Sequence, residues 1–294
     1  MNIKNKYNTK KRSLFGLINL FILISLAGCD LLSNKGSNYI PPISVQLWSV
    51  KEELKADFKG TIKLLANMGF NGVEFAGDFG PFKDKPKQLK EFLTENGLSA
   101  SGAHIGFEQL SASKLDATLT FYQELGVKFV IVPWDDRAWH PTGVIELAKQ
   151  LTKLSEQVKP YGLVIGFHNH DQEFNDHQGA TYWDYIAQHT PESVLLQLDI
   201  GWVNYAGKDP IEYVQKYAGR TLTTHFKIRT KEGDNVTPII GKDNYNWAEL
   251  IKTNIKVGGT KWLVVEQEEY PEGLSPIEAV AQSKLGLDKI IEQL

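Results

Sequence analysis

Cysteine is nearly missing from this chain: its 294 residues contain one, Cys29. One thiol closes no intrachain disulfide, and beyond position 29 no cysteine is left to serve as metal ligand or nucleophile. A basic surplus is missing too, with 32 Lys and Arg against 35 Asp and Glu and a formal charge of −3. Nucleic acid is thereby excluded as a partner class, since it needs a basic face. No Gly-rich phosphate loop follows the first strand-like run, where Trp48-Ser49-Val50-Lys51 stands instead. That disfavours a doubly wound nucleotide-binding sheet. Nor is there an arginine cluster to hold a phosphate, because Arg137, Arg220 and Arg229 are scattered.

The beginning of the chain reads as a processing segment. Lys4, Lys6, Lys10, Lys11 and Arg12 form a basic region, Leu14 to Leu26 an apolar one, and Leu26-Ala27-Gly28-Cys29 a small-residue site ending in cysteine. The apolar run is shorter than the ~20 residues of a spanning helix. We therefore expect a lipoprotein signal peptide over 1–28 and a lipid on Cys29. Residues 29–42 would be a tether, and the product an exported bacterial lipoprotein anchored to a membrane and facing the periplasm. Without residues 1–28 the chain has 27 basic and 35 acidic residues, a balance of −8.

From residue 43 onward one unit recurs roughly every thirty residues: an apolar β-rich run, a polar loop, an amphipathic stretch and a glycine. Strand-like runs are Ile43–Val50, Gly72–Ala76, Ala100–Ile105, Phe129–Trp134, Leu163–Phe167, Val194–Ile200, Leu222–Ile228 and Trp262–Glu266. Helix-like stretches lie between them, and Gly69, Gly97, Gly126, Gly162 and Gly258 fall where helices should stop. Eight such units predict an α/β fold, a (β/α)8 TIM barrel forming a single domain over 43–294.

Functional groups of such a barrel sit at the C-terminal strand ends. Read in order, those ends offer Gln46 and Trp48, Glu74, His104, Trp134, then Gly166-Phe167-His168-Asn169-His170-Asp171-Gln172-Glu173, then Asp199, His225 with Lys227, and Glu266. A carboxylate ending a hydrophobic strand is costly unless paired or bound to a cation. Several of them converging with histidines point to an ion. Two alternatives stand beside that reading: Asp199 and Glu266 as buried ion-pair partners of Lys227, and His225 as a hydrogen-bonded core histidine.

This arrangement resembles the xylose isomerase-like TIM barrels, the superfamily of sugar isomerases, sugar epimerases and apurinic endonucleases. The resemblance runs from Val45-Gln46-Leu47-Trp48 through Asn71-Gly72-Val73-Glu74 to Val265-Glu266. It implies one divalent ion held by residues after strands five to eight, and Asp199, His225 and Glu266 match the last three. At strand five the family's Glu-Asn is replaced by His168-Asn169, as in a branch with a His-Asn-His-Asp run. His168 takes the glutamate's place, with His170 as the alternative ligand.

Two nitrogens and two carboxylates suit Mn²⁺, Co²⁺, Zn²⁺ or Fe²⁺ better than Ca²⁺. Such an ion would polarise a sugar carbonyl while a base removes the neighbouring proton. Glu173, His170 and Glu74 are the candidate bases, Glu173 first. Lys227 and His104 would orient hydroxyls, and Trp48, Trp134 and Trp202 would stack on a pyranose face. The expected activity is a metal-dependent sugar isomerase or epimerase acting on an unphosphorylated sugar. A lyase or hydratase acting on 3-keto sugars or glycosides is the alternative, and a non-catalytic sugar-binding lipoprotein the alternative of another class.

Overall fold

The computed structural model describes residues 39–294, so the predicted signal peptide, Cys29 and most of the tether lie outside the described residues. Pro41 is buried, and the Pro42 carbonyl accepts a hydrogen bond from Leu263 N–H at 3.1 Å. The last tether residues thus already belong to the packed domain. Among the described residues no helix is long and apolar enough to cross a membrane.

Eight strands close a parallel barrel in sequence order: β1 (Ile43–Gln46), β2 (Gly72–Phe75), β3 (Ser99–His104), β4 (Phe129–Val132), β5 (Val164–His168), β6 (Leu195–Asp199), β7 (Thr223–Phe226) and β8 (Trp262–Val265). β8 pairs back onto β1, Leu263 opposite Ile43. Most strand residues are buried, as expected for a sheet filled on one face and covered by helices on the other.

Inside the barrel the chemistry changes with height. Phe129, Ile131 and Leu195 pack together as one apolar layer. Ser101 donates to Ser44 Oγ at 2.9 Å, and beyond this pair lie Gln46, Glu74 and Gln197, all fully buried. A register shift on β3, with Val73 opposite Ala100 but Glu74 opposite Gly102, inserts one extra residue. Side chains alternate along a strand, so this bulge restores His104 to the inner face.

Local boundaries depart from the sequence reading where side chains intervene. The run Ile43–Val50 stops being strand at Gln46, whose Oε1 accepts from Trp48 N–H at 3.1 Å and starts a 3-10 turn over Leu47–Val50. Gly69, Gly97, Gly126 and Gly162 adopt the positive φ that ends a helix. Gly258 does not. A π-turn over Asn254–Gly258 moves the stop to Gly259, with φ +71°, while Gly258 packs where a Cβ would lie 2.8 Å from Thr221 Oγ1. The final helix, Pro276–Ile291, starts at a capping box between Ser275 and Glu278.

Candidate metal centre

The β5 end comes close to β6 because Gly166 has no side chain: a Cβ there would stand 2.6 Å from Leu195 Cδ2. This approach sets His168 opposite Gln197, and the next pairing sets Asp199 opposite His225. Asp199 then caps the helix Ile200–Tyr205, its Oδ1 accepting from Trp202 N–H at 3.0 Å. Asn169 clamps the same turn, its side-chain oxygen accepting from Asp199 N–H at 2.9 Å. Asp199 Oδ2 is left buried without a hydrogen-bond partner.

His168, Asp199, His225 and Glu266 each contribute a ligand atom to one group in which all such atoms lie within 4.8 Å of one another. His168, rather than His170, is therefore the β5 histidine brought into the cluster. His104, His168 and His225 form a second, overlapping triad. The donor set, and Asp199 Oδ2 with no hydrogen bond and the Lys227 ammonium at 3.5 Å beside it, fit a divalent cation. A buried carboxylate oxygen without a hydrogen bond is costly, and a metal would relieve that cost directly.

The surrounding hydrogen bonds orient the imidazoles. Gln197 donates through Nε2 to Glu74 Oε2 and to Thr223 Oγ1, both at 2.8 Å. Its Oε1 must then accept, from His168 Nδ1 at 3.0 Å and His104 Nε2 at 2.7 Å. The network thus assigns the proton of His168 to Nδ1 and leaves the Nε2 lone pair for the cluster. His225 donates from Nε2 to Glu74 Oε1 at 2.5 Å, while its Nδ1 lies 2.9 Å from Glu266 Oε2. Glu74 and Gln197 stand behind the candidate ligand atoms, as partners that fix ring orientation and tautomer.

Lys227 completes the charge balance. Its Nζ lies 3.2 Å from Glu266, 3.5 Å from Asp199 and against Glu268. The ion-pair alternative for Asp199 and Glu266 is thus present beside the ligand cluster. Burial raises the Glu266 carboxyl, but Lys227 and His225 outweigh it and leave it well below the usual range. Asp199 moves the other way: burial pushes it up to about 7, and Lys227 only partly opposes this. Burial lowers His225, but Glu74 and Glu266 outweigh it and raise it to about 10. His168 falls well below its ordinary value, chiefly by burial and then by the neighbouring His225.

The candidate bases separate. His170 lines the pocket above the cluster, with its ring 4.6 Å from that of Trp134 and 5.3 Å from that of Trp202. Its Nδ1 has no partner, and burial brings it down to about 3. Glu173 sits behind it, one oxygen accepting from His170 N–H at 2.9 Å and the other enclosed without a partner. Burial raises Glu173 to about 8. Glu74 is enclosed by Gln46, Gln197 and His225 and makes no wall of the pocket.

Trp48 and Trp134 line the mouth at 45% and 47% exposure, with Lys51 Nζ 3.7 Å from the Trp48 ring centre. Trp202 does not face the mouth; it packs between His170 and the cations of Lys227 and Arg229. His104 and Lys227 do line it, in a cavity of about 500 Å³. Sequence reading passed over Gln197 and Glu268. Gln197 left a trace as the one amide in the aliphatic run Leu195-Leu196-Gln197-Leu198, but only the fold shows what it touches.

A model of the xylose isomerase-like TIM barrel family matches residues 62–290. The chain is 26% identical over 249 residues to the rhizopine catabolism protein MocC of Rhizobium meliloti, covering 71% of this chain and 74% of that one. It is 22% identical over 270 residues to an inosose dehydratase of Geobacillus kaustophilus, covering 78% and 86%. A solved sugar phosphate isomerase/epimerase from Parabacteroides distasonis superposes with a TM-score of 0.70 at 22% identity, over 90% of this chain and 99% of that one. For a D-psicose 3-epimerase from Clostridium cellulolyticum the TM-score is 0.64 at 16% identity, over 85% and 98%. At these identities the structural likeness speaks for the fold. Closed barrel, strand-end cluster and a family match spanning most of the domain agree: the chain belongs to the xylose isomerase-like TIM barrel family.

Proposed function

We propose that this protein is a divalent-metal-dependent enzyme that isomerises or epimerises an unphosphorylated sugar by removing a proton next to a carbonyl. The observation that carries this reading is the convergence of ligand atoms of His168, Asp199, His225 and Glu266 within 4.8 Å of one another, with His168 and Glu266 lining an open pocket. These residues would hold Mn²⁺, Co²⁺, Zn²⁺ or Fe²⁺, which would supply Lewis-acid polarisation of the carbonyl.

The chain's own groups do the rest. His170 presents a neutral imidazole on the pocket wall, its Nδ1 enclosed, and takes the proton on the ring's pocket side. Glu173 fixes the backbone of that histidine and positions it. Lys227 donates to a sugar oxygen and His104 orients a hydroxyl, both from the lining of the same pocket. Trp48 and Trp134 offer apolar faces to a pyranose ring. Among the described residues no arginine stands ready for a phosphate. Arg137 is paired with Asp135, Arg229 with Glu269, and Arg220 donates to the Val194 and Ala187 carbonyls.

A second reading is favoured by the relatives named for dehydration, which recur at 20–26% identity. The same proton removal, followed by departure of an oxygen on the next carbon, makes the protein a lyase or hydratase of keto sugars or glycosides. Incubation in deuterated water with neutral sugars and 3-keto glycosides, followed by NMR, tests both. Solvent deuterium beside the carbonyl with an epimer or isomer supports the first, and an unsaturated product the second. Absence of exchange across the panel with metal-loaded protein would leave the binding-protein alternative. Lipid attachment at Cys29 and an exported location belong to the same proposal. Fatty-acid labelling that survives Cys29→Ser would refute them.

A further inference from the structure

The cluster pocket does not end at the sugar-sized space over the metal ligands. A second groove, about 1030 Å³, adjoins it, and Trp48, Ala76, Gly77, Ile105 and Gln109 line both. It runs between the helix Lys51–Ala56, the loop after β2 and the helix Leu115–Leu125. Pockets of ~300–1,000 Å³ enclose a drug-sized ligand, so the cluster pocket of about 500 Å³ already holds one sugar ring. Nothing in proton removal from a monosaccharide calls for a further groove of this size.

The groove's surface identifies its occupant. Its apolar side is aromatic, with Phe79 packed edge-on against Phe121 at 4.8 Å and Tyr122 behind them. Its rim mixes signs, Lys51, Lys55, Lys83 and Lys114 against Glu52, Asp78 and Asp84. An anionic occupant would call for a one-signed basic rim, and an aliphatic chain would make no hydrogen bond with this one. A ring with one apolar face and a hydroxyl edge satisfies both the aromatic wall and a rim of donors and acceptors.

We infer that the substrate is a neutral glycoside of at least two sugar units, the reacting ring over the His168, Asp199, His225 and Glu266 cluster and the second ring in the groove beside Phe79 and Phe121. This rests on the carbonyl-sugar reading above and deepens it. Binding energy from the non-reacting ring then raises turnover of the reacting one.

Ala117, exposed on the helix Leu115–Leu125 and lining only the groove, provides the test. We expect the metal-loaded wild type to favour keto disaccharides over matching keto monosaccharides by about tenfold or more in kcat/KM. Ala117→Trp should cancel that preference and leave the monosaccharide value unchanged. Equal wild-type values for the two classes would overturn the inference and leave the proposed reaction standing. If neither class is turned over, the reaction fails, and calorimetry with trehalose and methyl glycosides of glucose disaccharides reads the groove alone. Binding that weakens by about tenfold in Ala117→Trp supports the second-ring site, while no binding, or unchanged affinity, overturns it.

Discussion

His225 donates from Nε2 to Glu74 Oε1 at 2.5 Å, and both side chains are fully buried. Because this bond commits Nε2 as donor, Nδ1 is the atom that faces Asp199 and Glu266. Glu74→Gln should keep the fold but lower metal affinity by about ten- to a hundredfold, as loss of such an orienting partner does elsewhere. Gly102→Ala should push in the same direction, since its Cβ would come within 2.8 Å of Glu74 Oε2. Titration with Mn²⁺ or Zn²⁺ followed by calorimetry measures both. Unchanged affinity in Glu74→Gln would remove its orienting role.

The ligand set has its own test. Asp199→Asn and His225→Ala should each reduce bound metal from about one ion per chain to a small fraction, read by elemental analysis of dialysed protein. Metal content that survives either substitution places the ion elsewhere.

Metal binding must displace a proton from His225. In metal-free protein its value, about 10, lies above the ordinary 6.5, so the imidazole is protonated at neutral pH. Affinity should therefore climb with pH from 6.5 towards 10. Stability of the metal-free protein should move oppositely. The raised His225 stabilises fully below 6.5 and its contribution is lost as pH rises through 10. Raised Asp199, at about 7, and Glu173, at about 8, likewise favour the folded state less as they ionise. Thermal melts from pH 6.5 to 9.5, with and without metal, should diverge.

His170 and Glu173 are separable by mutation. His170→Gln should lower kcat by about a hundredfold or more with metal retained, the usual cost of losing a general base. Glu173→Gln keeps an oxygen for His170 N–H and should stay within about threefold of wild type at pH 7. The reverse ranking would restore Glu173 as the base.

Helix–loop packing gives a control far from the chemistry. A Cβ on Gly286 would sit 1.8 Å from the Ile240 carbonyl oxygen. Gly286→Ala should destabilise by about 3 kcal/mol, a fall in Tm of roughly 8 °C, with metal stoichiometry unchanged.

What the sequence determined by itself was the repeating part. Apolar runs ending in chemistry-bearing residues require strands whose tips gather at one mouth, so the eightfold unit and the positions of His168, Asp199, His225 and Glu266 were legible from order and type. Tertiary structure decided what periodicity does not encode. It turned Glu74 from candidate base into the partner of His225 and put Glu173 behind His170. It drew Trp202 out of the mouth and placed Gln197 between two histidines. These outcomes depend on a bulge in β3, on Gly166 admitting Leu195, and on which oxygen of each carboxylate is already engaged. Apart from the local bond between His170 and Glu173, these are contacts between strands distant in the chain, and distance through space is the quantity a linear pattern does not carry.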